Sequence, residues 1–321
     1  MVEEYARLSI HRWMLLDEVR NEAYRRATAQ VVKPGDTVLD FGAGTGILSL
    51  FAAQAGASKV HAVERTDIAA VARRIIESNG MSDRIEVHQS DLEDVVLPGK
   101  VDVIISEWMG GFGVDENMLA PLVIARDRWL RPGGRIIPER VTALLAPLWV
   151  LEFDDATRHW GSRPHGVDLS VVNELSAHET LMTQWPVTPE DLLAPPQPMW
   201  SHDAHTCTLA EADAPFEAKL AFTATRSGPM SALAAWFDAA MCEGETLTNA
   251  VGAPATHWGR FFFPLTRTLE IEQGQLIRTE VRCEPANPGT TDLYWSVQID
   301  DGPIERHDTR PRRAAALLGR G

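Results

Sequence analysis

The sequence predicts a doubly wound parallel α/β domain followed by an antiparallel β domain. Three observations predict it. Strand and helix patterns alternate from about residue 36 to 140, and a glycine-rich turn joins the first strand to the first helix. After Pro138 the pattern changes to short apolar runs separated by turn residues. A chain of 321 residues is also longer than one hydrophobic core usually supports.

In order, "DTVLDFGAG" reads as a strand running into a turn, and "ILSLFAAQAGA" as a helix closed by Gly56. "SKVHAVER" is a second strand, "DIAAVARRIIESNG" a second helix ending at Asn79-Gly80, and "RIEVHQSD" a third strand. "VDVIISEW" has the β-branched run of a strand buried on both faces. The helix "NMLAPLVIARDRWL" follows and is stopped by "RPGG". Beyond it, residues 139–155 and about 205–305 carry antiparallel signals such as "KLAFTAT", "RTLEIEQGQLIRTEVRC" and "DLYWSVQID". Residues 157–200 read as a partly helical, Trp-containing excursion with a Pro-rich exit, too apolar for a free linker. The tail from His307 to Gly321 reads as disordered.

A formal net charge of −15 argues against binding a nucleic-acid backbone, which calls for a basic surface. Cys207, Cys242 and Cys283 are too irregularly spaced for a metal site or a disulfide framework, so buried reduced thiols are expected and no metal is assigned. "MVEEYARLSI" lacks the basic end and apolar core of a signal peptide, and no window reaches the ~18 apolar residues of a membrane span. The expectation is a cytoplasmic enzyme with no membrane contact.

The turn "LDFGAGTG" places Asp40, Gly42, Gly44 and Gly46 between a strand and a helix. Glycines there let a ligand approach the backbone and the free helix N-terminus. The spacing is G-x-G-x-G, not the G-x-G-x-x-G of dinucleotide enzymes. Glu64 ends the second strand, where an acid can accept hydrogen bonds from both ribose hydroxyls. Asp91, Leu92 and Glu93 end the third, at the place to grip an adenine. Three strand ends in register describe a nucleoside-cofactor site, and the absence of a Walker-type Lys disfavours ATP. S-adenosylmethionine and a dinucleotide remain.

The fourth strand delivers Glu107 to the same edge, and "EWMGGFGVDE" can loop back to set Glu116 beside it. Two adjacent carboxylates repel unless a cation lies between them. A guanidinium resolves this because its planar fork bonds two carboxylates at once. Holding its charge on two nitrogens leaves lone-pair density on the third, which can then be aligned with a sulfonium methyl.

With these motifs in order, the chain resembles the protein arginine methyltransferases over nearly its full length. "VLDFGAGTGILSLFAAQAGASKV" looks like the family's cofactor motif, with Ala43 where Cys or Ser is common. "VDVIISEWMG" with "ENML" looks like its double-glutamate loop, "ATHWGR" like its Thr-His-Trp loop, and "IHRWMLLDEVRNEAYR" like the helix that lids the cofactor. The resemblance implies lid helices over 1–35, a Rossmann-like domain over 36–138 binding S-adenosylmethionine, and a β-barrel over 139–306. The barrel would carry a dimerisation arm at about 157–200, and an exposed apolar arm needs a covering surface, so a homodimer is expected.

It further implies that Asp40, Gly42 and Gly44 lie against the cofactor, that Glu64 binds the ribose, and that Leu92 and Glu93 bind the adenine side. His11 and Arg20 would contact the cofactor's amino-acid end. Glu107 and Glu116 would clamp the guanidinium, and His257 with Asp17 would relay the released proton. Tyr5, Met14 and Trp258 would line the acceptor site. One implication conflicts with helix geometry: His11 and Arg20, at about 100° per residue, fall on opposite sides of a straight helix. Either the helix begins after His11 or one of the two stays away from the cofactor.

The sequence departs from the family at two places. Val2 stands near where a Phe is expected, which implies an incomplete lid or one ordered by substrate. Gly111 and Gly113 replace bulkier residues in the double-glutamate loop, which leans the acceptor toward small or free L-arginine over arginine in a peptide or protein. The rival readings are a methyltransferase of another small-molecule amine, guanidine or hydroxyl, and a non-catalytic cofactor-binding dimer.

Overall fold

The computed structural model describes residues 5–92, 94–287 and 290–310. Two helices, α1 (Leu8–Leu16) and α2 (Glu18–Val31), precede the first strand. They are not one rod. Asp17 leaves the helical region at φ −78° and ψ 90°, and its Oδ1 accepts the Arg20 N–H at 2.9 Å as the N-cap of α2. The break resolves the helix-geometry conflict in a third way: the helix begins before His11 and restarts after Asp17, so His11 and Arg20 are both buried.

The first domain runs β1 (Thr37–Phe41), α3 (Ile47–Ala55), β2 (Lys59–Glu64), α4 (Ile68–Ser78), β3 (Ile85–Gln89), β4 (Val101–Ser106), α5 (Leu119–Trp129) and β5 (Leu130–Ile137). All its strand pairs are parallel, in the order β3-β2-β1-β4-β5. Chain order reverses between β1 and β4, so their carboxyl ends, Phe41 and Ser106, lie side by side. That crevice is where ligands bind in open α/β sheets. The strand β5 is not apparent in the sequence, because "RPGG" reads as a helix stop. The segment lies within β5 with a register shift against β4, and at Gly134 a Cβ would stand 2.8 Å from the Asp102 carbonyl oxygen.

The second domain comprises β6 (Arg140–Leu148), α6 (Leu151–Arg158), α7 (Asn173–Ser176), β7 (Leu181–Thr183), β8 (Gln197–Asp203), α8 (Leu209–Asp213), β9 (Phe216–Thr223), β10 (Gly228–Cys242), β11 (Glu245–Thr248), β12 (Arg260–Ile271), β13 (Leu276–Asn287), β14 (Thr290–Ile299) and β15 (Glu305–Asp308). Where the resemblance implies a barrel, the described strands form two antiparallel sheets. One has the order β7-β12-β10-β6-β8 with β11 on β10, and the other β15-β14-β13-β9. They pack face to face: Trp295 meets Phe263 at 5.4 Å and its Nε1 donates to the Pro264 carbonyl at 2.8 Å. His307 and Asp308, expected in the tail, belong to β15 and are buried, since β14 pairs with them. Residues 311–321 lie outside the described residues.

One apolar core runs through both domains, and a smaller one gathers Phe153, Val187, Trp236 and Phe262 beneath the 157–200 excursion. That excursion leaves Trp160, Val167 and Val171 exposed. Cys207, Cys242 and Cys283 are buried and unpaired. Among the described residues no helix is long and apolar enough to cross a membrane.

Candidate active site

The crevice is built first from the turn after β1. Gly42, Gly44 and Gly46 all take positive φ, which glycine adopts without the Cβ penalty. The Gly42 and Ala43 N–H groups donate to the Val63 carbonyl, and the Gly44 N–H donates to Glu64 Oε2 at 2.9 Å, so the turn is tied to β2. Glu64 Oε1 accepts from the Thr66 N–H and hydroxyl, each at 2.7 Å. That leaves Oε2 with the spare lone pair, one acceptor position where accepting from both ribose hydroxyls would use two.

Asp40 points inward. It is fully enclosed, its Oδ2 accepts from the Ser49 hydroxyl at 2.6 Å, and burial pushes its carboxyl up to about 6. The expected cofactor contact is corrected: the alternation of β1 turns this side chain to the interior, where it fastens α3 to β1. Leu92 is buried. Glu93 and residues 1–4, with Val2, lie outside the described residues.

The broken helix closes the crevice from above. A Cβ on Gly44 would stand 2.8 Å from His11 Cε1, so this glycine lets the imidazole lie against the turn. His11 Nε2 is 2.7 Å from the Tyr5 carbonyl oxygen. One turn into α2, Arg20 aims Nε and Nη2 at Glu107 Oε2 while Nη1 donates to Asn21 at 2.7 Å. Glu107 balances the buried guanidinium charge. Tyr24, fully buried, hydrogen-bonds the Ser106 carbonyl at 3.2 Å and anchors α2 to the end of β4.

The loop after β4 supplies the second acid. Asp115 folds it by accepting from the Gly111 N–H at 2.9 Å and the Phe112 N–H at 3.1 Å. Glu116 then faces the site, and its Oε1 accepts a hydrogen bond from the Tyr5 hydroxyl at 3.1 Å. Burial, with the negative charges of Asp115 and Glu107 adding to it, pushes the Glu116 carboxyl up to about 8. Burial, followed by the negative charges of Glu116 and Glu107, raises the Tyr5 hydroxyl well above the usual phenol range.

Gly111 and Gly113 do not open this pocket. A Cβ on Gly111 would lie 3.0 Å from Met182 Sδ and 3.2 Å from Phe261, and one on Gly113 3.1 Å from Val141. Both face the second domain, so the lean toward a small acceptor loses its basis.

The second domain contributes His257. Its Nδ1 lies 2.9 Å from Asp17 Oδ2, its backbone N–H donates to the same oxygen at 2.7 Å, and its Nε2 lies 3.6 Å from Glu107 Oε1. Although burial opposes it, hydrogen bonding from His257 and Arg20 holds the Asp17 carboxyl below the usual range. Trp258 is corrected from an acceptor-lining residue to a support: it is buried, with its ring 4.0 Å from His257 and 5.0 Å from Phe237. Trp13 packs edge-on to His257 at 5.7 Å, while its neighbour Met14 is half-buried.

Two residues here escape sequence reasoning. Asn249 donates to the Gly111 carbonyl at 2.9 Å and to the Gly259 carbonyl at 2.8 Å, joining the double-glutamate loop to the Thr-His-Trp loop. In the sequence "TNAVG" it reads only as a turn residue. Asp115 reads as a neighbour of Glu116, with no sign that it folds the loop. Together the parts make an open-faced glycine turn, two acids able to hold a planar cation, and a His–Asp pair behind one of them.

Residues 143–300 match the family model described as the arginine methyltransferase oligomerization subdomain, and residues 25–136 match that of the ribosomal protein L11 methyltransferase. Protein arginine N-methyltransferase 6 of Danio rerio is 34% identical over 95% of this chain and 90% of its own length. Protein arginine N-methyltransferase 1 of Chlamydomonas reinhardtii is 35% identical over 93% and 87%. Among solved structures, the Trypanosoma brucei PRMT1 enzyme-prozyme heterotetrameric complex with AdoHcy superimposes with a TM-score of 0.85 at 30% identity. It covers 95% of this chain and 99% of that one.

Proposed function

We propose that the chain, which belongs to the protein arginine N-methyltransferase family, methylates arginine side chains within proteins using S-adenosylmethionine. That it is an S-adenosylmethionine-dependent arginine methyltransferase follows from the family; the protein-bound acceptor is the reading favoured here. One observation supports the clamp: Glu107 Oε2 already accepts two N–H groups of a guanidinium, that of Arg20, so the crevice balances one such cation against this acid.

The crevice fits the cofactor. A Cβ built on Gly42 meets nothing within 4 Å, leaving the backbone open for a ligand to approach. The first N–H groups of α3 follow Gly46 with no side-chain cap. Glu64 Oε2 would accept from one ribose hydroxyl, and His11 and Arg20 would hold the cofactor's amino-acid end. When bound, S-adenosylmethionine supplies a methyl group on a sulfonium, which departs as a neutral thioether.

Glu107 and Glu116 hold two nitrogens of the acceptor guanidinium and turn the third toward that methyl. A Glu116 protonated below about 8 must release its proton as the cation arrives. Held this way, the free guanidino nitrogen would form the new N–C bond as the C–S bond of the sulfonium broke. The nitrogen then sheds a proton, which leaves by way of Glu107 to His257, 3.6 Å away and steadied by Asp17. Tyr5 keeps Glu116 in place, and half-buried Met14 is the residue we assign to limiting how many methyl groups fit.

We assign residues 36–138 to cofactor binding and 139–306 to the acceptor and to assembly. The exposed apolar side chains of the 157–200 arm make a homodimer the assembly we favour. The test is a mass-spectrometric assay with S-adenosylmethionine and either an Arg-Gly-rich peptide or free L-arginine. A gain of a methyl mass on the peptide supports the proposal. A gain on free arginine alone replaces it with a metabolic role, and a gain on neither removes the guanidinium clamp.

A further inference from the structure

Outside the crevice, the edge of the parallel sheet carries a cluster that this chemistry does not use. His61 on β2 pairs in register with Glu86 on β3, and Val63 pairs with His88. Side chains alternate along a strand, and Ile85 and Val87 line the face shared with Ile76 of α4. Glu86 and His88 therefore leave the opposite face together, beside His61. Their donor atoms converge: His61 Nδ1 lies 3.1 Å from His88 Nε2, His88 Nε2 lies 3.9 Å from Glu86 Oε1, and all three lie within 4.8 Å of one another.

We propose that His61, Glu86 and His88 bind a divalent transition metal of the zinc class, with solvent at the fourth position. Zinc bonds of about 2.0–2.2 Å in tetrahedral geometry separate ligand atoms by roughly 3.3–3.6 Å, between the two separations found here. Two imidazoles and one carboxylate form a donor set that suits zinc better than calcium or magnesium, which take oxygen ligands. A second shell is in place. Lys59 Nζ holds the other carboxylate oxygen, Glu86 Oε2, at 3.0 Å, leaving Oε1 toward the histidines. Burial differs across the cluster as an open site needs: His61 is buried, His88 half-buried and Glu86 exposed. The simpler account is a His–His hydrogen bond beside a surface ion pair. The metal reading adds to it that all three donor atoms converge on one point. The cluster sits three residues before Glu64 on β2 and three before Asp91 beyond β3, so a bound ion would tie together two strands that lead to the cofactor crevice.

The experiment titrates the metal-stripped full chain with Co2+, followed by visible absorption, and with Zn2+ in competition with a chromogenic chelator. The expected result is one ion per chain with the intense absorption of a four-coordinate site. Because loss of a second-shell partner typically costs 10- to 100-fold in affinity, loss of a ligand should cost at least about tenfold. His88→Ala and Glu86→Gln should each show it, and Lys59→Met should weaken binding about tenfold. All three lie on or near the sheet edge, and circular dichroism with a thermal melt checks that each variant folds. Zinc should raise the melting temperature of the unaltered chain and not that of His88→Ala. Equal affinity in the unaltered chain and His88→Ala, or a weak six-coordinate spectrum, would overturn the proposal.

Discussion

A Cβ built on Gly42 meets nothing within 4 Å, whereas one built on Gly111 stands 3.0 Å from Met182 and 3.2 Å from Phe261. Both glycines line loops that converge on one crevice, yet they serve opposite ends. In the turn at 42–46 the missing side chain leaves room for a ligand. In the loop at 107–116 it leaves room for the protein, so that the loop packs against the second domain and Asn249 and Asp115 pin it. A glycine therefore reports only that something comes close to the backbone. Which partner comes close has to be read from the fold.

The two loops should fail differently. The largest effect belongs to the acids. Glu107→Gln removes one charge from a clamp built for a cation, and breaking a buried pair costs about 3–5 kcal/mol. We expect kcat/KM for peptide methylation to fall by two to three orders of magnitude; a loss under threefold would sink the clamp.

Next comes Glu116→Gln, read as stability. Glu116 has a folded value of about 8 against an ordinary 4.5, so the folded chain holds a proton that the unfolded chain releases between those pH values. Stability is thus lost as pH rises from about 4.5 to 8, and Gln escapes the loss. At pH 7 the variant should be more stable on the order of 3 kcal/mol, with a melting temperature several degrees higher. An unchanged or lower melting temperature at that pH would show that Glu116 is not held protonated.

The same titration governs acceptor binding. Because the clamp works with Glu116 ionised, the KM for an arginine peptide should fall by up to about tenfold per pH unit from pH 6.5 until about 8, then level off. A flat KM profile over that range would remove Glu116 from the clamp.

The smallest effects test the glycines against each other. Gly111→Ala overpacks an interdomain contact and should cost about 1–3 kcal/mol of stability while cofactor affinity holds. Gly42→Ala should cost about 1 kcal/mol for its left-handed backbone and weaken cofactor binding, the larger change. If the two variants behave alike in calorimetry and cofactor titration, the contrast between the loops is wrong.

Most of the site's chemistry is legible in the sequence, and most of its support is not. Glu64 ends one recognisable strand, and Glu107 follows another with a loop that returns Glu116 beside it, so their arrival at one sheet edge can be read in advance. Asp40 lies in the same motif, yet the alternation of β1 turns it inward to Ser49. His257 is legible beside Thr256 and Trp258, but the role of Trp258 is not, because the pattern does not say which neighbour lies beneath the other. The break at Asp17 leaves a signal only afterwards: an Asp three residues before Arg20 is a common N-cap, but nothing local says that the chain must bend there. The His61, Glu86 and His88 cluster has one sequence trace, an acid and a histidine two apart on a strand, and its third member is 25 positions away from Glu86.

By itself, the sequence determined the parallel sheet, the order of its strands' chemistry and the pairing of two acids around a loop, because these follow from periodicities and turns within a few contiguous residues. Only the tertiary structure decided how that loop is held, what its glycines face and where Asp17 sends the chain. The Asn249 bond to Gly111 spans 138 positions and that of His257 to Asp17 spans 240. Interactions at such separations depend on how two domains close over one crevice, and no local pattern encodes that.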